Sequence, residues 1–389
     1  MENERRLSSA ISSRLAVVEA LLESGPLSRT LLAEATQLSP SVITNVSQEL
    51  LGLGLLHEMP VMREKERRGR PSILLTVNAT HAYFVGVCIT ETPPLVVLVD
   101  TRGNVVGQHE ITAPDKPEDV ATSIQSGMIR LLRSKNIALK QVRGIGIALS
   151  GFVDFNKGIC IYSAALSWNN VPLADIVSQA TGIPTHIDND ANAVAIAERL
   201  FGMAREFKNF TILTLGRNIG CAHYIDGRLY RGHDGGAGEI GHITIAPDGP
   251  PCPCGKRGCL DMIAASTAIL FAAKAQHLPV QTVRDVETLA VNGSAPAIAI
   301  LRESGHSLGL VVASIIQINN PKLVLFADIV GFGNGLFSTA TRQTTENNIL
   351  PRFLSSTQLL FHPVEQSSLA RGAASIAVHE YLRVCAGDQ

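Results

Sequence analysis

Three cysteines and a histidine close together in the chain constrain its fold more than any other feature. Cys252, Cys254 and Cys259 form a Cys-x-Cys-x4-Cys array, and His242 lies shortly upstream. Three thiolates and an imidazole suit a tetrahedral Zn²⁺, which takes four nitrogen or sulfur ligands when its role is structural. Two glycines inside the array would let the loop fold back on the metal. The alternatives are a disulfide or scattered buried thiols, and a chain without a secretory signal disfavours the disulfide.

Length and charge narrow the class of protein further. At 389 residues the chain is long enough for two or three domains, and its net charge of −1 calls for no polyanionic or membrane-surface partner. Contact with nucleic acid would therefore need a local basic patch. The N-terminus lacks the apolar core of a signal peptide, and the apolar stretches at 84–99 and 309–318 are short or interrupted, which predicts a cytoplasmic protein.

The N-terminal residues show the pattern of a small helical module. Apolar residues recur at three- and four-residue spacing from Arg14, and Ser28 is placed to cap a second helix. Ser39 and Pro40 then begin a third helix that runs to about Leu51. Three short helices with a tight second turn are typical of a helix-turn-helix, whose third helix reads the major groove of DNA.

The predicted DNA contacts lie on the third helix and on a wing that follows it. The polar residues expected on the exposed face of that helix are Ser41, Thr44, Asn45, Ser47 and Gln48. Asn45 and Gln48 are suited to adenine, because their amides can bond it in the major groove. Two short strands around a basic tip with Arg67, Arg68 and Arg70 predict a wing that contacts phosphates or the minor groove. The alternative for this tip is a solvated charged loop.

Past Asn78 the chain changes to an α/β pattern. Strands are predicted at 83–90, 95–100, 105–111, 142–149 and 185–188, with helices at 117–135 and 171–181 between them. A second set begins with strands at 211–215 and 221–225 and ends in long helices around 322–326. Two α/β lobes place ligand-binding loops at the strand ends, in a cleft between the lobes.

Several motifs together resemble the ROK family (repressors, uncharacterised frames and sugar kinases). They are the Glu239-Ile-Gly-His242 segment, the cysteine box at 252–260, the stretch Ile-Asp-Asn-Asp-Ala-Asn-Ala at 187–193, and the winged N-terminus. The chain is most similar to the transcriptional regulators of the family, of the xylose- and N-acetylglucosamine-repressor type. The resemblance implies a bilobal actin-like, ribonuclease-H-like sugar-kinase fold and a zinc site of His242, Cys252, Cys254 and Cys259.

The resemblance also implies a division into three parts. Residues 1–72 would form the winged helix-turn-helix, 73–195 the first lobe of the ROK domain, and 196–367 the second lobe with the zinc loop. The C-terminal helix, 368–389, would complete the first lobe. A homodimer or tetramer is expected, because one recognition helix rarely binds an operator tightly enough alone.

The sugar site is implied by similarity as well. It places contacts to sugar hydroxyls on Asn189, Asp190, Glu239, His242 and Asp261. Carboxylates and an amide supply the ring of acceptors and donors that a sugar needs. The alternatives are that Asp188 or Asn189 only caps the next helix and that Glu239 is structural. Family members usually carry Glu where Asp261 stands, and Ala165 lies near the place of a sugar-facing Asn, so the ligand is expected to be unusual.

The phosphate loops of a kinase of this fold are degenerate here. The first reads Cys-Ile-Thr-Glu-Thr at 88–92 where the family has Asp-x-Gly-Gly-Thr, and the second reads Gly-Arg-Asn-Ile-Gly at 216–220 in place of Gly-Thr-Gly-Ile-Gly. The third has Phe326-Ala327 where a Gly-Gly is expected. Glycines allow the backbone to approach phosphate closely. Kinase activity is therefore predicted to be lost, with Asp190 a vestigial base that still bonds sugar.

These observations predict a sugar-responsive repressor of carbohydrate uptake or catabolism genes, released from its DNA operator by sugar. The alternative is an ATP-dependent sugar kinase with an accessory DNA-binding domain. A third possibility is a regulator whose sugar pocket has decayed and which responds to a protein partner.

Overall fold

The computed structural model describes residues 2–60, 73–113, 116–365 and 367–385. An N-terminal module of three helices and a small sheet precedes two α/β units, each built on a five-stranded sheet. The predicted wing tip, with Arg67, Arg68 and Arg70, lies outside the described residues.

The N-terminal module consists of helices α1 (Glu2–Ser24), α2 (Arg29–Thr36) and α3 (Pro40–Gly52) and strands β1 (Leu27–Ser28), β2 (Leu56–Pro60) and β3 (Ile73–Val77). Both predicted helix caps are confirmed. Ser28 Oγ accepts from the backbone N–H of Leu31 at 3.3 Å, and Ser39 Oγ accepts from that of Val42 at 3.4 Å. Strand β3 pairs antiparallel with both β1 and β2. With only two residues, β1 is too short to show a strand pattern in the sequence.

Helix α3 buries one residue that the sequence analysis assigns to solvent. Ser47 is fully buried, so that assignment is wrong. Ser47 lies one helical turn after Ile43 and one turn before Leu50, and all three share the face that packs on the core. The other polar residues of that predicted surface are exposed: Ser41, Thr44, Asn45 and Gln48.

The first α/β unit is built on β4 (Tyr83–Cys88), β5 (Leu95–Asp100), β6 (Val105–Glu110), β7 (Val142–Leu149) and β11 (Thr185–Asn189), in the order β11-β7-β4-β5-β6. Strands β4, β7 and β11 are parallel, so their carboxyl ends meet at one edge. Helices α4 (Pro117–Lys135) and α5 (Leu173–Thr181) contribute to the core on one face of the sheet. Between β7 and α5 lies a small antiparallel sheet of β8 (Phe152–Asp154), β9 (Ile159–Ser163) and β10 (Trp168–Val171).

The second α/β unit repeats this topology. Its strands are β12 (Phe210–Leu215), β13 (Ile219–Ile225), β14 (Arg228–Tyr230), β15 (Leu323–Asp328) and β16 (Gln358–Pro363), in the order β14-β13-β12-β15-β16. In both sheets the first strand is central, the second and third lie on one side, and the fourth and fifth on the other. Helix α6 (Asp190–Phe201) connects the two units and contributes to a core that both sheets share. The helices of the second unit are α7 (Asp261–Ala264), α8 (Ser266–Ala275), α9 (Val283–Val291), α10 (Ala295–Asn319) and α11 (Leu336–Asn348).

Helix α10 is a core helix of the second unit. By length and composition it could cross a membrane, and in the described part of the chain it is the one helix that could. However, 56% of its most apolar window is buried inside the protein. Its apolar character is therefore explained by packing.

The C-terminal helix α12 (Ser367–Cys385) lies on the first sheet, where glycines allow a close approach. A Cβ added at Gly146 would overlap the carbonyl oxygen of Ala373, and one at Gly86 would overlap that of Ala370. The core around α12 also includes Leu21 of α1. The N-terminal module and the first unit thus share one hydrophobic core.

Candidate functional site

The structure brings the side chains of His242, Cys252, Cys254 and Cys259 together in the loop that precedes α7. Their ligand atoms all lie within 4.8 Å of one another. His242 Nδ1 is 3.6 Å from Cys252 Sγ, and Cys254 Sγ is 3.6 Å from Cys259 Sγ. Ligand atoms around a tetrahedral zinc ion, at about 2.1–2.3 Å from it, are about 3.6–3.8 Å apart. The three cysteines are free thiols, whereas a disulfide would need sulfurs about 2.05 Å apart. The cluster therefore has the spacing of a metal site.

The loop that carries the cysteines is tightly folded. The backbone N–H of Cys252 donates to the carbonyl of Lys256 at 2.8 Å, and Lys256 Nζ donates to the carbonyl of His242 at 2.6 Å. Gly258 has a φ of +62°, and a Cβ there would overlap the carbonyl oxygen of Ala246. A glycine is thus needed at this turn for two separate reasons.

His242 joins the metal cluster to a carboxylate. Its Nδ1 faces Cys252, while its Nε2 is 3.9 Å from Glu239 Oε2. An imidazole that binds metal through one nitrogen usually donates through the other, which fixes the orientation of the ring. A metal ion in the cluster would therefore hold the ring beside Glu239.

Asn189 and Asp190 lie where β11 ends and α6 begins. Asn189 Oδ1 accepts from the backbone N–H of Ala191 at 2.9 Å, so Asn189 does cap the helix. Its Nδ2 donates to the carbonyl of Gly151 at 3.1 Å. Asp190 Oδ1 also accepts from the N–H of Ala191, at 2.8 Å. These bonds fix both side chains at the edge of the first sheet, and their role toward a ligand stays a prediction.

Carboxyl groups from both α/β units converge on this edge. Burial raises the pKa of Asp190 to about 7, and the nearby carboxylates of Glu239 and Glu91 add to the effect. Burial also raises the pKa of Glu239, with a further contribution from Asp261. Asp261 Oδ1 accepts from the backbone N–H of Ile219 at 2.8 Å. The structure thus brings Asp190, Glu239 and Asp261 near His242 from three separate segments, and their role toward a sugar stays a prediction. Clustered carboxyl groups with raised pKa values are typical of functional sites.

The segments at 88–92 and 216–220, which resemble degenerate phosphate loops in sequence, lie near each other. Thr90 Oγ1 accepts from the backbone N–H of Ser150 at 3.2 Å, which ties the first loop to the end of β7. Burial raises the pKa of Glu91, and Arg217 of the second loop opposes that shift. A carboxylate and an arginine side chain of the two loops thus lie close enough to interact.

Two carboxylates that were not predicted from the sequence bond backbone N–H groups at and after the third loop, Asp328 from the loop itself and Glu287 from α9. Asp328, at the end of β15, accepts from the backbone N–H groups of Gly331, Phe332 and Gly333 at 2.7–3.0 Å. Glu287 accepts from those of Leu336 and Phe337, at 2.8 and 3.0 Å, at the start of α11. Clusters of backbone N–H groups of this kind bind anions, and here they donate to carboxylates of the protein itself. The run of alternating glycines at 331–335 was the available signal.

Two α/β units of one topology, with carboxyl groups converging between them, define a bilobal protein of the sugar-kinase-like α/β class. The Cys₃His cluster, which could hold a metal ion, lies beside those carboxyl groups. The chain belongs to the ROK family, whose model matches residues 84–380.

Similar proteins include both repressors and kinases of this family. A xylose repressor from Bacillus spizizenii is 26% identical over 95% of this chain and 95% of its own length. A glucokinase from Halalkalibacterium halodurans is 29% identical over 69% of this chain and 87% of its own. A crystal structure of a ROK family transcriptional regulator, a homologue of the Escherichia coli MLC protein, superimposes with a TM-score of 0.80 at 25% identity, covering 97% of this chain and 98% of that one. The predicted similarity to ROK transcriptional regulators is confirmed, and so is the predicted sugar-kinase-like fold.

Proposed function

We propose that this chain is a sugar-responsive, DNA-binding transcriptional repressor that acts in the cytoplasm on genes of carbohydrate uptake or catabolism. The observation that carries the proposal is the extent of the likeness to repressors. It covers 95% of this chain for the xylose repressor and 97% for the crystallised regulator, and so includes most of the N-terminal module. The glucokinase match covers 69%.

The N-terminal module would act as a winged helix-turn-helix. Helix α3 would enter the major groove with its exposed polar residues: Ser41, Thr44, Asn45 and Gln48. Strands β2 and β3 would form the wing, and Arg67, Arg68 and Arg70 at its tip would contact phosphates. We expect a homodimer or tetramer on a pseudo-palindromic operator, because two recognition helices add their affinities.

Replacing Arg68 and Arg70 with alanine should weaken binding to every DNA sequence. Each phosphate contact contributes about 0.9 to the slope of log affinity against log salt, so the slope should flatten by about 1.8 per protomer. Fluorescence anisotropy over a salt series measures this slope. Arg228→Ala, a change at an exposed residue of the second unit, is the control. An unchanged slope would mean that the wing tip is only a solvated loop.

The sugar would bind between the lobes. Asn189, Asp190, Glu239, His242 and Asp261 would contact its hydroxyl groups. A structural Zn²⁺ held by His242, Cys252, Cys254 and Cys259 would keep the His242 ring oriented toward the ligand. The zinc would take no part in chemistry, since its four ligands leave no open position.

Sugar affinity should rise with pH around neutrality. The pKa of Asp190 is raised to about 7 by burial, so this carboxyl is mostly protonated at pH 6 and mostly ionised at pH 8. The ionised form accepts two strong hydrogen bonds from hydroxyls, and the affinity should therefore increase several-fold over this range. Isothermal titration at pH 6, 7 and 8 measures the change, and Asp190→Asn should make the affinity clearly less dependent on pH than that of the wild type. A wild-type affinity that falls with pH would contradict this role of Asp190.

We further propose that the protein has lost kinase activity. Glu91 and Arg217, in the two segments that resemble degenerate phosphate loops, interact with each other, and the carboxylates of Asp328 and Glu287 accept from backbone N–H groups at 331–337, which supports this proposal. The alternative, a sugar kinase with an accessory DNA-binding domain, is favoured by the retained Asp190 and by the glucokinase relative. A coupled assay for ADP release, with hexoses, pentoses and N-acetylhexosamines, separates the two.

A gel-shift titration on DNA from the protein's own upstream region tests the proposal as a whole. It is repeated with hexoses, pentoses, N-acetylhexosamines and their phosphates. We expect one neutral sugar to abolish binding. DNA binding that no sugar changes would favour a regulator whose sugar pocket has decayed and which responds to a protein partner. Absence of DNA binding together with ATP-dependent sugar phosphorylation would favour the kinase.

A further inference from the structure

We propose that Arg231 is a positioning residue that holds the two halves of the sugar site in register. This assignment rests on the proposed function. One half of the site is the turn with Asn189 and Asp190, at the end of the first sheet. The other half is the segment of the second unit that runs from β14 to Glu239.

The contact is made through Asp188, a buried carboxylate with four hydrogen bonds. Asp188 Oδ2 accepts from Arg231 Nε at 3.0 Å and from Nη2 at 2.7 Å. Its other oxygen accepts from the backbone N–H of Asn189 and from Asn192 Nδ2, both at 2.8 Å. The Asp188 side chain is only 1% exposed. Arg231 therefore acts directly on the residue that orients the Asn189–Asp190 turn.

Arg231 reaches Asp188 from the other α/β unit. Its guanidinium carbon lies 3.9 Å from the centroid of the Phe155 ring. This cation–π contact fixes the orientation of the guanidinium group. The glycine-rich segment that follows also packs on the first unit, since a Cβ added at Gly235 would overlap the carbonyl oxygen of Val153. The same segment ends at Glu239. The contact between the two units thus uses a planar cation that stacks on Phe155 and donates two hydrogen bonds to Asp188. A lysine at this position would supply the positive charge but neither the stacking nor the paired donors.

The test uses Arg231→Met and Arg231→Lys in the full-length protein, with Arg228→Met as the control. Arg228 is an exposed arginine of the same unit. Sugar affinity is measured by isothermal titration with D-xylose, D-glucose and N-acetyl-D-glucosamine. Melting temperature and sugar-free DNA affinity are measured for each variant, because removing one partner of a buried ion pair also destabilises a fold.

We expect Arg231→Met to lower sugar affinity at least about tenfold, with DNA affinity within about twofold of wild type. Arg231→Lys should recover part of the sugar affinity, and Arg228→Met should change nothing. Wild-type sugar affinity in Arg231→Met overturns the proposal. So does a parallel loss of sugar binding, DNA binding and folded protein, which would make the pair purely structural. If the wild type binds no sugar of the full panel of hexoses, pentoses, N-acetylhexosamines and their phosphates, the proposed function fails and this proposal with it.

The opposite end of helix α6 contacts the N-terminal module. Arg199 Nη2 lies 3.4 Å from Glu19 Oε2 of α1, and Arg199 Nη1 donates to the carbonyl of Arg205 at 2.8 Å. Arg205 Nη1 donates to the carbonyls of Leu22 and Glu23 at 3.3 and 3.2 Å. A cation thus covers the last carbonyl groups of α1, where the helix dipole is negative.

From this contact we infer, independently of Arg231, that α6 couples the sugar site to the DNA-binding module. This inference also rests on the proposed function. The helix begins at Asp190 and ends beside α1, so a shift of its first turn on sugar binding would move the docking point of the module. Allosteric coupling needs an element that both sites contact, and α6 is such an element.

Arg205→Met and Glu19→Gln test this coupling, again with Arg228→Met as the control. We expect both variants to bind sugar and sugar-free DNA within about threefold of wild type, while the sugar-induced change in DNA affinity falls to less than about a third. A full sugar response in both variants overturns the inference. Loss of DNA binding or sugar binding itself overturns it too, because the cluster would then only support the fold. A wild-type protein without any sugar response would instead refute the proposed function.

Discussion

Cys254→Ser is expected to lower the melting temperature by several degrees and the sugar affinity about tenfold or more. Cys254 is the exposed ligand of the cluster, so its replacement leaves no large hole in the core. Serine is a poor zinc ligand, and the remaining three ligands would hold the ion weakly. The effect reaches the sugar through His242, whose two ring nitrogens face the cluster and Glu239.

Zinc content, thermal melting and sugar titration of the same preparation measure this effect. Arg257→Ser, an exposed position in the same loop, is the matched control and should keep about one zinc per chain. Chelation of the wild-type protein should reproduce the Cys254→Ser result. A variant with unchanged melting temperature and sugar affinity would refute a structural metal. A loss of stability without a loss of sugar affinity would separate the metal from the sugar site.

Local signals in the sequence predicted the elements of the fold well. The caps at Ser28 and Ser39 were predicted because a serine before a helical pattern satisfies backbone donors that the helix cannot. Strands β4, β5, β7 and β12 were visible as apolar runs rich in β-branched residues, whereas β14 and β16 were not predicted. Short strands such as β8–β10 were missed, since three to five residues carry too little periodicity to distinguish a strand from a loop.

The cysteine cluster was predictable because all its residues lie within one segment of the chain. The neighbouring set of carboxyl groups was harder to predict. Asp190 and Glu239 come from different units and approach each other only after folding. Their grouping came from family resemblance. Arg231 and Asp328 could not be predicted, because an isolated arginine or aspartate gives no sign of its partner. The expectation that Ser47 is exposed is wrong for a simpler reason: a polar side chain need not be exposed, and the position of Ser47 one turn from Ile43 places it in the core.

Glu239→Gln is expected to abolish the sugar response while leaving DNA affinity nearly intact. Burial raises the pKa of Glu239, and its carboxylate lies beside His242 and near Asp190. The amide keeps the shape of the side chain but can accept through one atom only. A hydrogen bond to a charged acceptor contributes about 1.5–3 kcal/mol, so sugar affinity should fall about 10- to 150-fold.

Asp234→Asn is the isosteric control, because Asp234 is an exposed acid of the same segment and loses one charge in the same way. Titration with the sugar that releases wild-type protein from its operator measures the affinity, and gel shifts measure DNA binding with and without that sugar. A Glu239→Gln protein that still responds at wild-type sugar concentrations would remove Glu239 from the site. One that loses DNA binding as well would mean that this carboxylate supports the fold rather than the ligand. A selective loss of the response would leave the convergence of Asp190, Glu239 and His242 as the physical basis of sugar recognition.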